Sequence, residues 1–317
     1  MISVVIPLFN KSHTIEATLT SVLNQSFSDF EIVIVNDGST DDSLQVINSF
    51  SQDHRIKIFN QSNQGVSSAR NQGIKFSTFN YIAFLDGDDL WEPNYLSKII
   101  EAIIKFPNAG MFCCAGKIIT GNDEIIRLDK NFENQITPIN FFANPHVYLH
   151  TSATVVSKIA LLKTIRFPVG MKRNQDFAFF FSLALTTEVI YCGFPLSIYV
   201  GQVIGQATSS DFATAMPHIA KRFNYVYDFY KSKNIENKYF LIFLKYELRH
   251  YFKYMLSKKG QFTLINFINL LDREMLNEFS KIEISLFKTK SLSKISYLYL
   301  VFTKIIWRMH GFPRVSS

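Results

Sequence analysis

The stretch Tyr81-Ile82-Ala83-Phe84-Leu85-Asp86-Gly87-Asp88-Asp89-Leu90-Trp91 runs five mostly apolar residues into three carboxylates. An apolar run this short, bounded by Gly and charge, reads as a buried strand. The acids therefore sit where the strand leaves the core. Carboxylates bunched there repel one another, and burying them unpaired is costly. A divalent cation would remove that cost. The pattern Asp86-x-Asp88 puts two oxygen ligands within reach of one hard metal, which can also grip a diphosphate.

Strand and helix signals alternate on the N-terminal side of this stretch. Residues 4–8 form a β-branched run. Ile15, Leu19, Val22 and Leu23 then repeat at helical spacing, with Ser12 as the N-cap. Residues 31–35 read as a second strand, stopped by Asn36-Asp37-Gly38. Ser39 or Thr40 caps a helix carrying Leu44, Ile47 and Phe50. A third strand spans 56–59, a helix 66–76 and the fourth strand 81–85. Pro93 opens a helix with Leu96, Ile99, Ile103 and Phe106 on one face. Strands that are apolar throughout and separated by helices imply a parallel sheet covered on both faces. Ligands bind beyond the C-terminal strand ends of such sheets, where Asn10, Asp37 and Asp86 lie.

Further along, residues 116–150 read as less regular, 157–164 as helical and 174–185 as a very apolar helix beginning with Gln175-Asp176. Short strands are expected at 189–192 and 196–200. From about Pro217 long helical patterns rich in Lys, Tyr and Phe take over. A boundary near 205–217 divides a catalytic domain, 1–210, from a helical basic region, 211–317.

The 317 residues are 47% hydrophobic, enough for a sizeable core. A net charge of +7 favours anionic partners: nucleotides, acidic lipid or nucleic acid. With no Arg-rich arm and no zinc spacing, nucleic acid is the weaker choice and none is expected. Cys113, Cys114 and Cys192 are an odd count with an adjacent pair, which reads as buried reduced thiols. The N-terminus lacks a basic leader segment, and no run reaches the roughly 20 apolar residues that span a bilayer. A cytoplasmic protein is expected.

Three more motifs accompany the acidic stretch: Val4-Val5-Ile6-Pro7-Leu8-Phe9-Asn10, Val35-Asn36-Asp37-Gly38-Ser39-Thr40-Asp41 and Asn63-Gln64-Gly65-Val66-Ser67-Ser68-Ala69-Arg70-Asn71-Gln72-Gly73. In this order, and followed by Asp86-Gly87-Asp88-Asp89, they resemble the family 2 glycosyltransferases of the GT-A fold. The acidic segment matches that family's DxD motif. The resemblance covers residues 1–110 strongly and 150–205 moderately; the last hundred residues match in general character alone. It implies an α/β fold: a Rossmann-like, mostly parallel sheet flanked by helices, with a nucleotide-sugar half (1–110), an acceptor half (111–210) and a C-terminal helical extension.

The resemblance also implies roles. Asp37 accepts a hydrogen bond from the nucleotide base, suiting the N–H of uracil or thymine; an Asx turn or helix cap is the alternative. Pro7 and Asn10 shape the neighbouring nucleoside loop. Arg70, beside small Ser67, Ser68 and Ala69, reaches inward to base or phosphate, with a surface salt bridge as the alternative. Asp41 and Asp42 favour their helix N-terminus electrostatically. Asp86 and Gly87 belong to the donor site, Asp86 near ribose and metal, and Asp88 lies directly on a Mg²⁺ or Mn²⁺ ion acting as Lewis acid and template. Asp89 is read as scaffold, capping the next helix with Trp91-Glu92-Pro93.

The family's second half usually supplies a Glu-Asp pair at a helix start. Here Arg173-Asn174-Gln175-Asp176-Phe177 keeps the Asp, the usual base, and replaces the Glu by Gln. Asp176 is the expected catalytic base, or else a simple helix cap. Gln175 would hold the acceptor by an amide. His150 opens a segment that flanks the acceptor site in relatives, and alone it reads as a packing or hydrogen-bonding residue. The uncharged segment Gly205-Gln206-Ala207-Thr208-Ser209 resembles the loop that covers the donor.

Past Glu283 the chain has no acid and carries Lys288, Lys290, Lys294, Lys304, Arg308 and Arg314. Ile295, Leu298, Phe302, Ile305 and Met309 recur at spacings of 3 and 4, with Trp307 adding interfacial character. This suits a helix lying in an anionic membrane surface; a helix packed on the catalytic domain or on a twin subunit is the alternative.

The combined expectation is an inverting, metal-dependent transferase. It would move a hexose or N-acetylhexosamine from a nucleotide-sugar, UDP-linked, to a hydroxyl of a glycan acceptor. That acceptor would be a lipid-linked surface polysaccharide at the inner face of the cell membrane. A nucleotidyltransferase would carry a Gly-rich phosphate loop after the first strand, where Leu8-Phe9-Asn10-Lys11-Ser12 has no Gly. A catalytically degenerate GT-A protein that binds partners or membrane is the second alternative, allowed by Gln175. The oligomeric state is left open.

Overall fold

Strand β1 (Ile2–Leu8) is buried along its whole length, and it organises the first half of the molecule. The computed structural model describes residues 1–144, 147–201, 203 and 212–309, with the side chains of 261 and 306–309 outside that description. After β1 come α1 (Ile15–Leu23), β2 (Phe30–Asp37), α2 (Ser43–Asn48), β3 (Ile56–Gln61), α3 (Val66–Phe76), β4 (Tyr81–Phe84), β5 (Leu90–Trp91) and α4 (Tyr95–Lys105). Strands β3, β2, β1 and β4 lie side by side and parallel, in that order, as the alternation of apolar strands with helices predicts. Helix α3 approaches β1 so closely that a Cβ on Gly73 would sit 2.2 Å from Cγ1 of Val5. That glycine lets the helix press onto the strand and delivers Arg70, one turn earlier, to the strand ends.

The sheet continues through β6 (Met111–Thr120), β7 (Asp123–Arg127), β8 (Ile136–Ile139), β9 (Thr154–Ser157) and β10 (Val189–Val200), with α5 (Lys158–Leu161) and α6 (Gln175–Ala184) between the last two. Strand β9 lies antiparallel between β4 and β6, and β10 runs parallel to β6. Three expectations are corrected here. The region read as less regular contains β7 and β8 and the second half of β6. Strand β7 is exposed at every position and so carries no alternating pattern to read. The helix expected over 157–164 is one turn, because Ser157 ends β9 and caps Ala160. The two short strands near 189–200 are one strand whose register shifts around Pro195, a residue with no N–H to donate to a ladder.

The expected helix caps also differ. Helices α1 and α2 begin after Thr14 and Asp42, neither of which caps through its side chain. The Ser12 N–H donates instead to Asp41, and Ser39 Oγ accepts from the Asn10 N–H. Asp41 also accepts from the Ser43 N–H at the start of α2. The cysteines are free and buried.

The chain forms two compact units, Met1–Ile139 with Val147–Ser209, and Asn140–His146 with Ser210–Ser317. Residues 140–146 therefore group with the second unit, although the sequence boundary near 210 leaves them in the first. The Phe142 ring packs 5.2 Å from Phe240 and 5.3 Å from Phe243. The second unit is helical: α7 (Phe212–Ser232), α8 (Lys238–Lys258), α9 (Gln261–Leu270), α10 (Arg273–Leu276), α11 (Lys281–Lys288) and α12 (Ser293–Met309). Ser296 and Leu300 form the buried face of α12, while Ile295, Leu298, Phe302 and Ile305 are exposed. The side chains of Trp307, Arg308 and Met309, and residue Arg314, lie outside the described residues. No described helix is long and apolar enough to cross a membrane.

Candidate active site

Where β4 ends, the three acids separate into three environments. Asp86 accepts a 2.6 Å hydrogen bond from Arg70 Nη2, and its N–H donates to Ser152 Oγ. Asp88 accepts from Lys11 Nζ at 2.6 Å. Asp89 is 1% exposed. It takes the Ser152 hydroxyl and the Val200 N–H, and its Oδ2 lies 3.6 Å from His150 Nε2. Burial, reinforced by Asp86 and Asp88, pushes the Asp89 carboxyl well above the usual range. Asp89 is thus scaffold by a different route from the one expected: Asn94 precedes α4, and Asp89 joins the acidic turn to Ser152 and the end of β10. Thr14 Oγ1 donates to the Gly87 carbonyl and fixes the turn from the other side.

Arg70 is 3% exposed, so the surface salt bridge offered as its alternative is replaced by a buried ion pair. Buried Ser67, Ser68 and Ala69 leave room for the long side chain. Its guanidinium lies 5.2 Å from the centre of the Phe167 ring. Its Nε and Nη1 are buried with no hydrogen-bond partner among the described residues. Unpaired buried donors on a cation are costly, and a phosphate oxygen or base carbonyl would satisfy them. Burial raises the Asp86 carboxyl, but Arg70 outweighs it and holds Asp86 below its ordinary value.

Asp37 is 2% exposed. Its Oδ1 accepts from Gln61 Nε2 at 2.6 Å and the Gln64 N–H at 2.8 Å, and its Oδ2 accepts from the Gly65 N–H at 2.8 Å. The carboxylate therefore locks the segment that leads into α3. Gly65, at φ 87°, needs the freedom only glycine has there. Asn10 holds a left-handed conformation, accepts from the Thr40 N–H at 2.8 Å and so ties the end of β1 to the end of β2. Pro7 sits in register with Val35 just before that junction.

The second half of the site starts with α6. Asn174 turns the chain at φ 59°, and Asp176 follows in the first helical turn, with Oδ1 accepting from the Phe177 N–H. Gln175 is 8% exposed, its Oε1 unpartnered among the described residues. His150 Nδ1 is likewise buried and unpartnered. Its ring packs 5.8 Å from Tyr148 and 5.2 Å from Tyr199. Burial lowers the His150 pKa, opposed by the charges of Asp86, Asp176 and Asp88. Asp86 and Asp88 belong to the turn after β4 and Asp176 to the start of α6. Lys11, Gln61 and Ser152 were not singled out from the sequence. Each is a common polar residue whose partner lies 24 or more positions away. The segment 205–209 lies outside the described residues.

Among the described residues no three His, Cys, Asp or Glu side chains are grouped to enclose a metal. Asp86 and Asp88 offer two carboxylates, each now balanced by a protein cation. Mg²⁺ commonly uses one or two carboxylates and completes its shell with phosphates and water. This donor set fits such an open site and not a closed cage.

A mixed sheet with a parallel β3-β2-β1-β4 half, an acidic turn beyond β4, a buried arginine beside it and a second acidic helix start define the GT-A class. Residues 3–164, just over half the chain, match glycosyl transferase family 2, and the chain belongs to that family. Escherichia coli WfgD, a UDP-Glc:alpha-D-GlcNAc-diphosphoundecaprenol beta-1,3-glucosyltransferase, is 28% identical over 210 residues, 63% of this chain and 76% of that protein. An uncharacterized glycosyltransferase of Rickettsia bellii (strain RML369-C) is 33% identical over 190 residues, 58% of this chain; the match spans 26% of that longer protein. Among solved structures, S. aureus TarS 1-349 in complex with UDP-GlcNAc superposes with a TM-score of 0.70 at 17% identity, over 99% of this chain and 93% of that one. GalNAc-T7 with UDP, GalNAc and Mn²⁺ gives 0.57 at 14% identity, over 74% and 50%. These two are likenesses of fold.

Proposed function

We propose that the protein transfers a hexose or N-acetylhexosamine from a UDP-sugar to a hydroxyl of a lipid-linked glycan, with inversion, at the cytoplasmic face of the cell membrane. The observation that carries this reading is Arg70: a buried guanidinium, paired to Asp86 on one nitrogen and unpaired on the other two. A diphosphate supplies the acceptors those nitrogens lack. WfgD, which by name uses UDP-glucose and a diphosphoundecaprenol-linked acceptor, supports the donor and acceptor classes.

In this reading Asp37 fixes the nucleoside pocket, with Asn10 and Pro7 shaping its rim. Asp176 takes the proton from the acceptor hydroxyl. The oxygen attacks the anomeric carbon while the bond to the β-phosphate oxygen breaks, and UDP leaves. A general base contributes on the order of 10²–10⁴ in rate. Gln175 and His150, each with an unpartnered buried acceptor or ring nitrogen, hold acceptor hydroxyls beside the base. A divalent cation on Asp88 and Asp86, when bound, neutralises charge on the departing diphosphate. The test is UDP release from a UDP-sugar panel with and without EDTA; full activity in EDTA would remove Asp86 and Asp88 from this role.

A further inference from the structure

The segment that leads into Asp176 has an unusual surface. Residues 158–175 contain Lys158, Lys163, Arg166, Lys172 and Arg173 and no acid. Within this segment Ile159 is 71% exposed, Leu162 81% and Val169 60%. These are not the side chains of a loose strand of chain. Ala160, Leu161, Phe167 and Met171 are buried beneath them. The Phe167 backbone is clamped on both sides by Asn71, which receives its N–H at 3.1 Å and donates to its carbonyl at 2.9 Å. The aliphatic side chains are therefore held outward by a fixed backbone. An exposed apolar patch on a rigid frame marks an interaction surface. A groove of about 560 Å³ opens beside them, lined by Lys75, Lys158, Leu162, Arg166 and Val169 among others. Cations and aliphatic side chains share its walls.

We propose that this face of the catalytic unit, with Ile159, Leu162 and Val169 projecting among Lys163, Arg166 and Lys172, docks on an anionic phospholipid surface. The charge pattern selects the occupant. A run of cations without a single acid is complementary to lipid phosphates, and aliphatic side chains of this length enter the boundary between headgroups and acyl chains. This segment runs directly into α6 and Asp176, so docking here would suit an acceptor presented from the bilayer. That fit rests on the proposed acceptor class, whereas the binding itself does not. The surface is distinct from the basic stripe on α12.

The test uses the full chain in co-sedimentation with phosphatidylcholine vesicles, alone or with about one third phosphatidylglycerol. Wild-type protein is expected on the anionic vesicles and not on the neutral ones, with binding weakened by high salt. Each Lys or Arg near an anionic surface is worth roughly fivefold in binding, so Lys163→Glu/Arg166→Glu/Lys172→Glu should bind at least ~100-fold more weakly. Ile159→Ser/Leu162→Ser/Val169→Ser should lose binding through the apolar term. All six positions are exposed, but Arg166 Nη1 also donates to the Leu161 carbonyl at 2.7 Å, so a Lys163→Glu/Lys172→Glu variant accompanies the triple charge variant. That variant and the apolar one should keep the wild-type melting curve and wild-type UDP affinity. An Ile295→Ser/Leu298→Ser/Phe302→Ser variant is the control in the other unit. The proposal fails if wild-type protein ignores anionic vesicles, or if both patch variants bind as wild type does. It also fails if only the α12 variant loses binding. If the patch variants instead abolish self-association in sedimentation velocity, the face belongs to a second copy and the lipid assignment is wrong. Vesicle binding without UDP binding would defeat the proposed donor and leave this surface standing.

Discussion

Replacing Arg70 by Met removes the guanidinium while keeping an apolar stem against Phe167. Two consequences follow from the geometry. The first is on stability. Removing one member of a fully buried ion pair costs about 3–5 kcal/mol. The Asp86 side chain keeps 26% exposure, so water recovers part of this and about 2 kcal/mol is expected. The second is on binding. Two unpaired N–H donors that meet phosphate make charge-assisted bonds worth about 1.5–3 kcal/mol each. Even the lower figure gives about 3 kcal/mol together, or roughly 10²-fold in Kd. Isothermal titration of UDP and of uridine, each with Mn²⁺, separates the possible targets. If the unpaired nitrogens meet the diphosphate, UDP affinity falls about a hundredfold and uridine affinity hardly moves. A folded variant that binds UDP within a few-fold of wild type would refute the reasoning. An equal loss for uridine would place Arg70 on the base.

Other outcomes follow from single contacts. Lys11→Met removes the cation that pairs with Asp88 at 2.6 Å, so Mn²⁺ should bind several-fold more tightly by electron paramagnetic resonance titration, at about 1 kcal/mol for a partly exposed pair; unchanged affinity would mean Lys11 does not compete. Gly73→Ala forces a methyl against Val5 and should cost about 2 kcal/mol in urea unfolding, restored when Val5→Ala is added; a neutral Gly73→Ala would show that α3 can lift off β1 freely. Burial raises the Glu31 carboxyl, but Lys57, Ser3 and Thr78 outweigh it and bring it from 4.5 to about 2. Its folded value is depressed, so its stabilisation is complete above pH 4.5 and is lost as pH falls towards 2. Lys57 is 44% exposed, which discounts the contribution to about 2 kcal/mol. Glu31→Gln should flatten the acid limb of the stability curve in that window; an unchanged limb would show that other groups set it.

The first half of the fold was legible because β1, β2 and β4 are mostly apolar runs that lead into turn residues, while the half-exposed β3 shows only Ile56, Ile58 and Phe59. Burial on both faces leaves that signature in β1 and β2. The second half was legible only in part. Strand β7 pairs with β6 while all five of its residues face solvent, so nothing in its composition distinguishes it from a loop. The interruption at Pro195 made one strand look like two. In the candidate site, Asp37, Arg70, Asp86, Asp88 and Asp176 were singled out by local motifs. The contacts that set their states were not. Nothing near Lys11 in sequence points to Asp88, and nothing near Ser152 points to Asp89, because both links are closed by the sheet bringing distant loops together.

The central claim is sugar transfer with Asp176 as base. It is tested most directly by incubating the protein and Mn²⁺ with UDP-sugars and a GlcNAc-diphospholipid, then weighing the lipid product by mass spectrometry. Wild-type protein should give a product heavier by one hexose or N-acetylhexosamine. With Asp176→Asn, which keeps the helix start intact, the rate should fall by on the order of 10²–10⁴. Wild-type activity in Asp176→Asn, or no product from any UDP-sugar although UDP binds, would contradict it.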